Sequence, residues 1–302
     1  MLVLQSDEIL ARVDPGHGAE VLDLVDVRSG RQLLGRPPFG AELPAPGDLD
    51  EGPWTAAWRG GWQGCLPNAG SACTIDGTYH GFHGRASNDP WTLVEADRAG
   101  CLVRWEGHGL RAERRIEAAG GALTVASVVA ALADGAPVIA LEHLALGLEL
   151  IEPGVELELP AGRASELDDE LGPLHAPADA PEWPAIGLAG GGSERGDRWE
   201  LAQVRARVYV VRDVRAGRAL VRNTGRDQGV EVSWSAEVLP HLIVWHEARG
   251  SGGVWRNATE VLCLEPCSVA HLLGLAAALE AGQAHRLARG ETLSWTMSVR
   301  PV

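Results

Sequence analysis

The nine residues His83-Gly84-Arg85-Ala86-Ser87-Asn88-Asp89-Pro90-Trp91 place a proton-transfer imidazole, a guanidinium, three polar side chains and a flat aromatic ring between Gly and Pro. That set suits a polyol. Imidazole and guanidinium N–H groups aim at hydroxyl and ring oxygens, and an indole offers an apolar face to the C–H side of a sugar ring. The same residues also fit an exposed loop with one buried Trp, and the segment alone does not separate the two.

Two further segments supply what proton transfer needs. Leu141-Glu142-His143-Leu144-Ala145-Leu146-Gly147 sets a lone His in an apolar run, where an imidazole is most often a packed, satisfied residue. Leu262-Cys263-Leu264-Glu265-Pro266-Cys267-Ser268 ends an apolar strand on a carboxylate, and Pro266 biases Glu265 toward extended backbone. Burial there raises a carboxyl pKa toward neutrality and makes Glu265 a usable general base.

Other clusters carry less. The acidic run Ser165-Glu166-Leu167-Asp168-Asp169-Glu170 lacks the residue order of a calcium loop and reads as a solvated loop. His80 and His83 fall on opposite faces of a strand, so at most one faces a given cleft, and no metal is expected. The five cysteines, Cys65, Cys73, Cys101, Cys263 and Cys267, are odd in number and contain no CxxC pair, so they read as reduced core thiols. Cys267 lies close to Glu265, yet no His or Lys nearby in sequence would activate it.

The elements that must hold these residues are mostly strands. Leu123, Val125, Ser127, Val129 and Ala131 alternate with the intervening residues, which is the period of a half-buried strand. Further strands are expected at 19–27, 91–95, 102–106, 111–117, 207–214, 218–223, 229–234, 242–245 and 292–299, with Val230, Val232 and Trp234 on one face. Arg215-Ala216-Gly217 reads as the turn of a hairpin. One helix is expected over 269–279, and the Pro- and Gly-rich stretches 36–53 and 173–198 read as long loops. The fold class is therefore all-β: a large antiparallel β-sandwich of two stacked sheets with one or few short helices, a single domain over 1–302.

Composition bounds the partners. Acidic residues outnumber basic ones 41 to 26, for a net charge of −15, which argues against nucleic acid and against an anionic membrane surface. The chain opens without a basic start, apolar run or cleavage site, and no stretch is long and apolar enough to span a bilayer, so a soluble, cytoplasmic protein is expected. Eleven Trp against two Tyr and two Phe is an unusual balance; core packing covers most of them, and carbohydrate clefts also use indole faces.

The order of segments resembles the galactose mutarotase-like superfamily, the aldose 1-epimerases and their relatives, over nearly the whole chain. The resemblance rests on Gly60-Gly61-Trp62-Gln63 with Leu66-Pro67-Asn68-Ala69-Gly70, His83-Gly84 with Pro90-Trp91, and Glu142-His143 with Pro153-Gly154. Leu239-Pro240 with Trp245, Leu264-Glu265-Pro266 and the closing Ala288-Arg289-Gly290-Glu291-Thr292-Leu293-Ser294-Trp295 follow in order. It implies an open cleft for a hexopyranose and no cofactor. Glu265 would take the anomeric hydroxyl proton, His143 would protonate the ring oxygen, and His83 would orient the sugar. Asn68 and Trp245, with Arg85 and Trp91, complete the expected substrate-binding set.

Departures from the family accompany the match. Ala69-Gly70 follows Asn68 where well-studied mutarotases carry an Arg, leaving that contact absent or taken over by Arg85. The family's further sugar-binding Asp is not assigned, to Asp197, to Asp213 or to any other residue. Arg59 and Arg85 are the cations available for a phosphate near the cleft, so neutral aldoses are expected to be preferred to their 6-phosphates. A non-catalytic carbohydrate-binding protein of the same fold and a hexose-6-phosphate mutarotase are the alternative readings.

Overall fold

The computed structural model describes residues 1–167, 177 and 179–302, so Asp168-Asp169-Glu170 of the acidic run lie outside the described residues. Two large sheets dominate. The first has 12 strands, its centre running Glu20–Asp26, Trp62–Cys65, Leu141–Leu146, Glu260–Cys267, His241–Ala248 and Arg205–Arg212. The second has 9, centred on Gly229–Trp234, Thr292–Pro301, Ala122–Ala131, Leu110–Ala119 and Gly100–Gly107. One apolar core draws Leu144, Val244 and Leu264 from the first sheet and Ile116, Val125 and Val299 from the second.

The two sheets differ in how their sequences read. Along Ala122–Ala131, Leu123, Val125 and Val129 are buried while Val128 is exposed, because only one face of this strand is covered. Trp62–Cys65 and Leu141–Leu146 are buried at every position. Their inner face meets the second sheet and their outer face is roofed, so the pattern is a continuous run rather than an alternation.

Three expectations change. Residues 207–214 and 218–223 do not form a hairpin: Arg205–Arg212 pairs with His241–Ala248 in the first sheet, and Arg218–Asn223 pairs with Gly229–Trp234 in the second. Arg215-Ala216-Gly217 therefore crosses between layers, and a short polar turn looks alike in sequence whichever it does. The helix expected over 269–279 is Gly274–Glu280. Gly274 sits at φ 85, where a Cβ would meet the Ser71 carbonyl at 2.2 Å, and Val269 and Ala270 pack into a second core. The stretches 36–53 and 173–198 are not all loop: the Glu51–Ala57 helix begins in one, and the strands Ala185–Gly187 and Ser193–Arg195 lie in the other. Among the described residues no helix is long and apolar enough to cross a membrane.

A polar knot between the sheets fixes the strand that matters most. Fully buried Glu142 accepts four hydrogen bonds, from Trp62 Nε1 at 2.7 Å, Arg114 Nη2 at 2.8 Å, Trp295 Nε1 at 2.8 Å and Ser127 Oγ at 3.3 Å. Gly64 makes room for it, since a Cβ there would meet Arg114 Nη1 at 1.6 Å. With Glu142 pinned inward, strand geometry turns His143 to the outer face.

Candidate active site

The outer face of the first sheet carries a row of polar side chains. His143 pairs with Gln63 on one side. On the other, the frame set by Leu141 opposite Cys267 and Leu144 opposite Leu264 puts His143 across from Glu265. Their side chains meet, with His143 Nε2 3.6 Å from Glu265 Oε1, and both residues are 3% exposed. Pro266 lacks an N–H and interrupts the ladder at this point.

Burial sets the protonation of this pair. It pushes the Glu265 carboxyl up to about 8 and holds the His143 imidazole down at about 4. Between those values the pair carries a single proton, on Glu265. His143 Nδ1 is buried without a hydrogen-bond partner.

His83 stands against the same site. It adopts φ 55, a left-handed conformation uncommon for a residue with a Cβ. Its ring centroid lies 5.7 Å from that of His143 and 4.5 Å from that of Trp54. Its Nδ1 accepts the Gly70 N–H at 3.2 Å, which leaves the ring proton on Nε2, and burial keeps the imidazole well below its usual pKa. His83 is therefore a neutral donor.

Aromatic rings roof the pair. Trp54 and Trp58 are buried and lie four residues apart at the Glu51–Ala57 helix, one helical turn, so they cover adjoining patches. Trp54 lies 6.1 Å and Trp58 5.8 Å from the His143 ring. Trp54 Nε1 donates to Ser87 Oγ at 3.0 Å, whereas Trp58 Nε1 is buried and unpartnered. Trp245 is 6.4 Å from His143 and packs on Trp58 and Trp255. Cys263 shares the face of Glu265, and one donor atom from each of His143, Cys263 and Glu265 lies within 4.8 Å of the others.

The structure thus brings together Glu265, His143, His83 and Trp245. Three other candidates stand elsewhere. Asn68 is a scaffold residue: its amide donates to the Ser71 and Gly81 carbonyls and accepts the Leu275 N–H, so its hydrogen-bonding capacity is spent on main chain. Arg85 pairs with Asp89 at 2.7 Å and lines a surface depression with Pro90, Thr92 and Arg104. Trp91 belongs to the apolar core, its Nε1 donating to the Ala86 carbonyl at 2.8 Å. His80 stacks on His108 instead of facing the site. Arg59 is claimed by Asp14 at 2.8 Å and by Glu20, and Asp197 is held by Arg195 Nε at 2.9 Å.

Sequence reasoning missed Trp54, Trp58, Gln63 and Cys263. The four-residue spacing of the two Trp and the two-residue spacing of Cys263 and Glu265 were the available signals.

No protein-family model and no curated protein sequence matches the chain. Solved structures do. The Slr1438 protein from Synechocystis sp. PCC 6803 has a TM-score of 0.69 at 19% identity, covering 99% of this chain and 94% of that one. A galactose mutarotase related enzyme from Lactobacillus acidophilus has a TM-score of 0.67 at 12% identity, over 100% of this chain and 97% of its own. A galactose mutarotase-like protein from Lactobacillus casei has a TM-score of 0.65 at 13% identity, over 100% of both chains. The chain has the galactose mutarotase-like fold.

Proposed function

We propose that this protein is an aldose 1-epimerase that interconverts the α and β anomers of a neutral sugar. The observation that carries the reading is the His143 and Glu265 pair, 3.6 Å apart on a Trp-walled face. Anomerisation needs one group to take a proton and one to give a proton, and a pair holding a single proton is poised for both.

In the resting site the proton sits on Glu265. A bound sugar donates its hydroxyls to that carboxyl, which favours the charged form and moves the proton to His143 Nε2. Glu265 then removes the proton from the anomeric hydroxyl while His143 protonates the ring oxygen. The C1–O5 bond breaks and an open-chain aldehyde forms. Rotation about C1–C2 and the reverse transfers close the ring on the other face. His83, neutral with its proton on Nε2, orients the sugar oxygens, and Trp245 supplies an apolar wall.

A neutral substrate is favoured over a phosphate because Arg59 and Arg85 are each already paired with carboxylates. The test is polarimetry on fresh α-D-glucose and α-D-galactose, with NMR anomer exchange on glucose 6-phosphate beside them. Faster approach to equilibrium for the neutral sugars supports the reading. Sugar binding without acceleration would make the protein a carbohydrate-binding module, and a clear preference for the phosphate would reassign it as a hexose-phosphate mutarotase.

A further inference from the structure

The geometry points to a thiophilic divalent-ion site of the zinc class beneath the Trp54 and Trp58 roof, made by His143, Cys263 and Glu265. Occupation by the ion would shut the site to sugar turnover. The inference deepens the reading above by giving the same site a means of inhibition, and Cys263, which the acid–base step does not use, is what makes it specific.

Three observations carry it. First, the donors differ in kind: an imidazole nitrogen, a thiol sulfur and a carboxyl oxygen, all within 4.8 Å of one another. Imidazole and thiolate select zinc-like ions, and a mixed set with three protein ligands leaves a fourth position for water or another ligand. Tetrahedral zinc, with bonds of about 2.0–2.3 Å, spaces its donors about 3.3–3.8 Å apart. The His143 to Glu265 separation of 3.6 Å already fits, and the sulfur needs an approach of about an ångström at most.

Second, among the described residues no Arg or Lys is paired with the Glu265 carboxyl. Its recorded ion-pair partner there is His143. A divalent ion would supply the missing positive charge. Third, two buried orphan atoms face a common use. His143 Nδ1 and Gln63 Oε1 both lack partners, and the two residues are directly paired on one face of the sheet. Gln63 is oriented by its own amide N–H, which donates to Glu20, so its oxygen is free to accept. A His bound to metal through Nε2 carries its proton on Nδ1 and hands it to such an acceptor, which fixes the ring.

Cobalt(II) is the probe. The full-length, reduced protein is titrated with cobalt chloride, and zinc affinity is measured by competition against a chromogenic chelator. A single equivalent is expected to produce a thiolate-to-cobalt charge-transfer band, absent in Cys263→Ser and retained in Cys65→Ser and Cys267→Ser. Zinc affinity is expected to fall by more than tenfold in Cys263→Ser and in His143→Gln, and by about tenfold in Gln63→Leu. Zinc should inhibit the wild type, and whatever rate Cys263→Ser retains should no longer respond to it. If Cys263→Ser does not fold by circular dichroism, loss of the band in His143→Gln decides. No band in the wild type, or a band that survives Cys263→Ser, overturns the site. A band in a protein that does not accelerate mutarotation would instead leave the site standing and overturn the functional reading.

Discussion

Glu142 and Glu265 sit on neighbouring strands of one sheet, both buried, and face opposite ways. Glu142 points inward and is answered by an Arg, two indole N–H groups and a Ser hydroxyl. Glu265 points outward under the Trp roof, and its recorded ion-pair partner among the described residues is His143. The comparison separates two uses of a buried carboxylate. Saturated with donors, it locks strands together. Left without them, it holds a proton near neutrality and becomes able to do acid–base work.

The largest expected contrast follows from that difference. Glu265→Gln keeps the shape but cannot accept the proton, so the mutarotase rate should fall by about 10²–10⁴-fold, measured by polarimetry. Glu142→Gln should instead cost about 3–5 kcal/mol in urea denaturation, because it leaves Arg114 buried without its counter-charge. Equal effects of both changes on stability, with the rate per folded molecule untouched, would erase the distinction.

Stability against pH sharpens it further. Folding raises the Glu265 carboxyl from 4.5 to about 8, so the folded chain binds this proton more tightly than the unfolded chain. Its contribution is full below pH 4.5 and is lost as pH rises through about 8. Denaturation midpoints measured from pH 5 to 9 should fall more steeply for wild type than for Glu265→Gln. Parallel curves would place the carboxyl in an ordinary environment.

A smaller effect concerns the roof. Trp58→Leu opens a water path to His143 and weakens the burial that raises Glu265, so the alkaline limb of the rate profile should move downward in pH. An unmoved limb would show that Trp58 does not exclude water there. The smallest effect belongs to Arg85, half-exposed and paired with Asp89. Arg85→Ala should leave kcat/KM within about twofold and stability within about 0.5 kcal/mol. A large rise in KM would return Arg85 to the sugar.

Much of this was legible in the sequence because strands announce themselves by period, and Glu265 before Pro266 stood out as a carboxylate in an apolar run. What was not legible depended on the third dimension. The segment at 83–91 looked like one site but is divided by its own turn: His83 goes to the His143 ring, Arg85 to the surface and Trp91 to the core. Asn68 carried the right chemistry for a sugar, yet three main-chain groups claim it. The crossing at Arg215-Ala216-Gly217 failed because strand propensity says nothing about which layer a strand joins. Trp54 and Trp58 were hidden by Gly52 and Pro53, which read as loop although Pro is tolerated in a first helical turn.

The proposed epimerisation turns on one proton shared by Glu265 and His143, and the pH dependence of kcat/KM for a neutral aldose tests it most directly. Below about 4 both groups are protonated and no base remains; above about 8 both are deprotonated and no acid remains. The predicted profile is a plateau between limbs near those values, with the alkaline limb absent from the residual rate of Glu265→Gln. A rate that keeps rising beyond pH 8, or an alkaline limb unchanged in Glu265→Gln, would contradict it.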